Sequence, residues 1–313
     1  MKKYFISSDI HSFYDEWMKA LKDNGFDLDN PEHILIVCGD IFDRGTKPLE
    51  VYEFLKNLPK ERRILIRGNH ELLLRDLVIR GYAEQHDKTN GTVDTVFRFL
   101  GKGLSERELI KEHYKNNLKI LNKYDKDMSI LDIYATKEWE DEQDRYGKIL
   151  FNVYKHNDKV KEVLNWIFSD EWVYYYETKN HVFVHSFIPI DYSKSTFDMY
   201  YNPIKTVENF REDWRNATDT EWEDAAWGCP YGRYLSLLYK HYDRLDNKTL
   251  VCGHWHTSDF YNNLDFKDDK KHHLTIDTNP IYQSTKYKHL IGLDACTAIS
   301  GTVNVLVLSE EEI

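Results

Sequence analysis

The chain has 313 residues, 41% hydrophobic and 30% charged, enough apolar material for a sizeable core, which excludes an intrinsically disordered chain. Lys and Arg number 42 against 53 Asp and Glu, a formal net charge of -11. Nucleic-acid binders carry a basic stripe, so no stable nucleic-acid complex is expected, and a phosphorylated substrate would need bound cations to reverse the local field.

The N-terminal run MKKYFISSDIH lacks the apolar core of a signal peptide, because Asp9 and His11 interrupt it. No stretch approaches the roughly 18 apolar residues of a membrane span, so a cytoplasmic chain without a membrane partner is expected. Tyr4-Phe5-Ile6 reads as a short strand ending in SSDIHS. Phe13, Trp17, Ala20 and Leu21 then recur at helical spacing, with Gly25 as C-cap. HILIVCGDIFDRG is a second strand and turn, and KPLEVYEFLKNLP a helix with Leu49, Tyr52 and Leu55 inward. RRILIRGNHE is a third strand and turn, and LLLRDLVIRG a third helix. Asp9, Asp40 and Asn69 lie 31 and 29 residues apart, the length of one βαβ unit. The strands are continuous apolar runs, as in a sheet covered on both faces.

Residues 72–184 break this rhythm and are expected to form a largely helical insertion within a single domain spanning 1–313. SERELIKEHYKNNLKILNKYDK and HNDKVKEVLNWIFSD read as helices, and DKTNGT and WEDEQDRYG as loops. The strand grammar returns at HVFVHSF, which ends in His185, and at KTLVCGHWHT, which ends in His254 and His256. HHLTIDT, HLIGLDAC and TVNVLVLS follow so closely that an antiparallel meander is expected. The expected fold class is therefore α/β, α+β in part, with a β-sandwich core flanked by helices. The four cysteines, Cys38, Cys229, Cys252 and Cys296, form no CxxC pair and read as buried free thiols.

The strand ends carry Asp9 and His11, then Asp40, Asp43 and Arg44, then Asn69 and His70, then His185, then His254 and His256. In open α/β sheets, sites form outside the carboxyl ends of strands, so neighbouring strands would bring these groups into one crevice. Carboxylates, an amide oxygen and imidazoles with no thiolate suit two divalent ions such as Mn, Fe or Zn. Each piece has a plainer reading: DIH as a turn, GHWH as a pair of satisfied histidines, Asn69 as a helix cap. The ordered set leaves those readings little room.

The motifs DIH, GDIFDRG, RGNHE, VHS and GHWH together resemble those of the calcineurin-like metallophosphoesterases. The GDxxDRG and RGNHE forms resemble the serine/threonine protein phosphatase branch and its bacterial and phage relatives, which include diadenosine tetraphosphatases. The resemblance implies a metallophosphoesterase-like sandwich and a dinuclear centre of two divalent ions, manganese first, with Fe or Zn as other choices. It implies that Asp9 and His11 bind the first metal, that Asp40 bridges both, and that Asn69, His185 and His254 bind the second. His256 matches the second histidine of the GHxH form, which binds the first metal. Arg44 would hold phosphate oxygens, and His70, steadied by Asp43, would donate the proton. A second phosphate-binding arginine is expected, with Arg233 and Arg215 as candidates. Ser8 and Ser12 stand where the family often has glycine. The implied activity is hydrolysis of phosphomonoesters, phosphoserine or phosphothreonine proteins among them, by metal-bound hydroxide without a phosphoenzyme. Dinucleoside polyphosphates or other nucleotides are the alternative substrates, and a phosphodiesterase or a non-catalytic scaffold are lesser rivals.

Overall fold

The computed structural model of the chain describes residues 1–101, 105–124, 128–197, 203–211, 213–228 and 245–313, with backbone alone for 191–197 and 203–210. Three apolar runs form parallel strands β1 (Lys3–Ser7), β2 (His33–Cys38) and β3 (Arg63–Ile66), joined by helices α1 (Tyr14–Asp23) and α2 (Pro48–Asn57). Side chains alternate across a strand, and here both faces are covered. Phe5, Leu35, Val37 and Leu65 enter a core shared with the helices, in which Trp17, Leu21, Tyr52 and Leu55 are buried. Tyr4, Ile6, Ile34, Ile36, Cys38 and Ile66 enter a second core against Phe183, Val251 and Ile291 of another sheet. Both-sided burial is the physical reason that these strands are unbroken hydrophobic runs.

Helix α3 (Asn69–Arg80) follows β3 directly. Its N-cap is Gly68 rather than Asn69, and the Glu71 carboxylate accepts from the Gly68 N–H at 2.8 Å, which leaves the Asn69 side chain available for other contacts. A helical connection follows: α4 (Gln85–Thr89), α5 (Thr92–Phe99), α6 (Glu106–Lys123), α7 (Ile130–Tyr134), α8 (Lys137–His156) and α9 (Asp158–Ile167). The chain then returns to the same sheet, where β4 (Trp172–Val173) pairs in parallel with β3. The first sheet thus has the order β12-β1-β2-β3-β4, where β12 is Leu306–Ser309.

The second sheet has the order β10-β11-β9-β6-β5, from β5 (Tyr175–Glu177), β6 (His181–Val184), β9 (Thr249–Cys252), β10 (Tyr282–Gln283) and β11 (Leu290–Gly292). Strands β7 (Ile190–Phe197) and β8 (Pro203–Phe210) form a separate antiparallel pair. Val182, Val184, Leu250 and Leu290 on the outer face of the second sheet pack on Trp214 and on Trp222 of helix α10 (Asp219–Ala225). The result is a helix–sheet–sheet–helix stack, the expected mixed α/β sandwich.

Several local expectations are corrected. The last three apolar segments do not form a meander. Residues 273–278 form no ladder, because the Asn262 amide bonds both the N–H and the C=O of Leu274, at 2.7 and 2.8 Å. Strand β11 pairs in parallel with β9, and β12 (Leu306–Ser309) crosses to the first sheet and pairs antiparallel with β1. WEDEQDRYG is the middle of α8, not a loop: its Glu142 accepts from His113 and Asn116 of α6, at 3.0 and 3.3 Å, tying the two helices together. The DKT of DKTNGT belongs to α4. The C-cap of α1 is Asn24, with Gly25 one residue beyond in a left-handed conformation. Cys38 and Cys296 are buried free thiols and Cys252 is buried with its Sγ–H on the Ile291 carbonyl at 3.7 Å, whereas Cys229 and Arg233 lie outside the described residues.

Leu35 and Ile36 are adjacent, fully buried and on opposite faces of β2. Leu35→Ala and Ile36→Ala should therefore each cost about 2–5 kcal/mol in denaturant unfolding. A half-exposed sheet would show that cost for one of the two only.

Candidate active site

Strands β1, β2 and β3 are parallel neighbours in one sheet, and β6, β9 and β11 in the other. Their carboxyl ends therefore open at one edge of the sandwich. Asp9, Asp40, Asn69, His185, His254 and Asp294 each lie within three residues of such an end. The turns that deliver them are tight. Asp9, His11, Ser12, Asp40, Asp43, Arg44 and His254 all take left-handed φ values, a conformation that L-residues adopt only under external constraint.

Part of that constraint comes from Glu71. Its buried carboxylate accepts from the backbone N–H groups of Gly68 at 2.8 Å, Asp40 at 3.0 Å and Ile41 at 3.0 Å. Burial, then the charge of Asp40, pushes its pKa up to about 7. Close backbone approach supplies the rest. A Cβ on Gly68 would overlap Asp40 Oδ1, and a Cβ on Gly253 would overlap Ser8 Oγ and Asp9 Oδ2.

Two groups of ligand-type atoms result, His11–Asp40–His70 and Asp40–His185–His254, and Asp40 belongs to both. His185 Nδ1–H donates to the Cys38 carbonyl at 2.9 Å, so its Nε2 lone pair faces Asp40 Oδ1 at 3.2 Å. His11 Nδ1–H donates to the Phe42 carbonyl at 3.1 Å, leaving Nε2 3.8 Å from Asp40 Oδ2. The Asn69 amide oxygen lies 2.9 Å from His185 Nε2, 3.0 Å from His254 Nδ1 and 3.3 Å from both Asp40 oxygens. In this orientation, lone-pair groups converge with no proton between them. Turning the amide over would let its NH2 donate instead. Burial, then neighbouring His70 and Arg44, holds His11 well below its usual pKa, and burial and His185 lower His254 to about 3. Neutral imidazoles, a shared carboxylate and an amide oxygen form a donor set that fits divalent cations.

Asp9 stands beside these groups. Its Oδ2 accepts from Ser8 Oγ at 2.5 Å and from His254 N–H at 2.9 Å. Burial, then Asp294 and Asp40, raises its pKa well above the usual carboxylate value, as expected of neighbouring buried anions. His256 is placed outside both groups: Nε2 is 3.9 Å from Asp294 Oδ2, Nδ1 is 4.0 Å from Asp259, and the side chain is 28% exposed. His70 Nδ1 meets Asp43 Oδ2 at 2.8 Å, and exposed Arg44 reaches His70 Nε2 at 3.4 Å. Burial opposes the charged form of His70, but Asp40 and Asp43 outweigh it and raise its pKa. Arg215 is engaged elsewhere, with Glu177 and Asp246.

Sequence reasoning missed Asp294, a buried carboxylate near Asp9 and His256. It follows an apolar run in HLIGLDAC, the same signal that marked Asp9 and Asp40. It also missed Thr92, whose Oγ1 donates to Asp43 Oδ2 at 2.6 Å, and nothing in the local sequence announced that contact.

The family model for calcineurin-like phosphoesterases matches residues 2–258. The chain belongs to this family. Among curated proteins, it is 38% identical over 74 residues to the symmetrical bis(5'-nucleosyl)-tetraphosphatase of Buchnera aphidicola subsp. Acyrthosiphon pisum (strain Tuc7), covering 24% of this chain and 26% of that protein. It is 35% identical over 74 residues to an asymmetrical bis(5'-nucleosyl)-tetraphosphatase of Bacillus subtilis (strain 168), covering 21% of this chain and 30% of that one. The matched stretch thus spans roughly a quarter of the length of such relatives. Among solved structures, the cold-active protein-tyrosine phosphatase of a psychrophile Shewanella sp. aligns over 99% of this chain and 76% of that one, at 15% identity and a TM-score of 0.47. No helix among the described residues is long and apolar enough to cross a membrane.

Gly253→Ala should displace Ser8 and Asp9 and weaken binding of a divalent cation, with Mn as the probe, by about 10–100-fold in calorimetric titration. Gly147→Ala, in open space on α8, should leave Mn binding unchanged.

Proposed function

We propose that the chain hydrolyses phosphomonoesters with the help of two divalent cations, Mn by preference. The observation that carries this reading is the convergence of the Asp40, Asn69, His185 and His254 side chains beside the Arg44–His70–Asp43 group. Asp9 and His11 would hold the first ion, Asn69, His185 and His254 the second, and Asp40 both. Bound there, the ions supply positive charge to the phosphoryl oxygens and acidify water.

The side chains around them carry the rest. Arg44 is exposed at the mouth and offers a planar fork of donors to a phosphoryl group. His70 Nε2–H donates its proton to the leaving oxygen as the P–O bond breaks. Asp43 accepts Nδ1–H, which fixes the tautomer and favours the charged ring. The charge of the chain makes this local cation set necessary, since the molecule as a whole repels polyanions.

Dinucleoside polyphosphates are the second reading. The names of the matched relatives favour it, and so does Trp227. This ring is half exposed and stands edge-on to His254, with centroids 6.1 Å apart. It offers a face for a nucleobase, a stack of about 1–3 kcal/mol.

Mn-loaded protein should hydrolyse p-nitrophenyl phosphate, and protein stripped by chelator should not. On an alkyl phosphate, His70→Asn should lower kcat by about 100- to 10,000-fold while Mn stoichiometry stays unchanged. Loss of one Mn per chain in that variant would instead make His70 a ligand. In a panel of phosphopeptides and diadenosine tetraphosphate, Trp227→Ala should raise KM for the dinucleotide alone if nucleotides are the substrate.

A further inference from the structure

Helix α5 belongs to the long helical connection between β3 and β4, yet it closes directly over the turn Phe42–Thr46. Phe99 packs edge-on against Phe42, with ring centroids 5.6 Å apart. Arg98 Nη1 donates to the Thr46 carbonyl at 3.3 Å. Gly91, at φ 83°, lies so close that a Cβ on it would come within 2.6 Å of the Arg44 nitrogen. Thr92, fully buried at the first position of α5, donates Oγ1–H to Asp43 Oδ2 at 2.6 Å.

That same oxygen accepts Nδ1–H from His70 at 2.8 Å, whereas Asp43 Oδ1 is buried and accepts nothing among the described residues. Asp43 is therefore oriented from two sides through a single oxygen. Without the threonine hydroxyl, only His70 would define the carboxylate rotamer, and either oxygen would serve it equally. A buried carboxylate free to rotate holds an imidazole less firmly, and partners one step removed from a reacting centre commonly govern affinity or rate by about 10–100-fold.

We propose that Thr92 is a positioning residue that locks Asp43, and through it the His70 ring, in the geometry for proton delivery, so that the helical connection is part of the active-site machinery. The proposal rests on the reading of His70 as proton donor. In that step His70 gives its Nε2 proton to the leaving oxygen and ends neutral, with Nδ1–H still on Asp43. Thr92 exchanges no proton and acts only on orientation. Its importance therefore scales with how much the leaving group needs that proton. An alkoxide needs it, and p-nitrophenolate leaves without it.

The test compares Thr92→Val and Thr92→Ser in Mn-loaded protein on an alkyl phosphate and on p-nitrophenyl phosphate. Thr92→Val should lower kcat about 10–100-fold on the alkyl ester, with much less loss on the aryl ester and KM unchanged. Thr92→Ser should restore it, and Thr92→Val should add nothing in a His70→Asn background. Equal losses on both esters, additivity with His70→Asn, or no loss would overturn the proposal. A readout independent of turnover is the His70 Nδ1–H resonance of 15N-histidine-labelled protein loaded with diamagnetic Zn. It should be sharp in the native chain and in Thr92→Ser, and broadened in Thr92→Val; an unchanged resonance also overturns the proposal. If His70→Asn alone costs both esters equally, the proton-donor reading fails, and with it this role for Thr92. A broadened resonance in that case would leave Thr92 as a structural support of the Asp43–His70 pair.

Discussion

A carboxylate buried in a sandwich edge, facing neutral imidazoles and an amide oxygen, is costly unless a cation balances it. Asp40 is that carboxylate, and much of the molecule is arranged around it. It is 2% exposed and belongs to both groups of converging ligand atoms. Its backbone N–H is held by Glu71, and its Oδ1 accepts from His70 N–H at 3.0 Å. Cores on both faces of β2 fix where this strand ends, and so where Asp40 stands.

The strain follows from the same demand. Several groups must reach one point from different strand ends, and each must leave its strand abruptly. Left-handed turns at Asp9, His11, Asp40 and His254 do this, at a cost of roughly 1–3 kcal/mol each. Glycines at 68 and 253 permit the backbones to meet where any side chain would collide. The Glu71 carboxylate offsets part of the strain by collecting the free N–H groups of the Asp40 turn.

Around this centre the two halves of the chain have different tasks. The sheets place ligand-type residues, and the helical connection covers the turn that carries Asp43 and Arg44. Tying α6 to α8 through Glu142, with its His113, Asn116 and Arg145 partners, gives the connection a buried polar anchor that fixes helix register. The chain as a whole is acidic, and Arg44 places an exposed cation beside the cluster.

Much of this was legible in the sequence. Unbroken apolar runs identified β1, β2, β3, β6 and β9, because burial on both faces leaves no room for alternation. Their polar ends identified Asp9, Asp40, Asn69, His185 and His254, because a covered strand places charge only where it stops. What misled was local as well. WEDEQDRYG is polar enough for a loop, but Glu142 makes it a helix by bonding a partner far along the chain. HHLTIDT is apolar enough for a strand, but Asn262 occupies the backbone groups of Leu274. The sequence by itself determined which residues stand at strand ends, since this depends on hydrophobic runs and turns a few residues long. Only the tertiary structure decided that Asp294 lies near Asp9, that His256 turns towards Asp294, and that Thr92 grips Asp43. Those contacts join segments far apart in the chain, and no local pattern encodes a distance across a folded core.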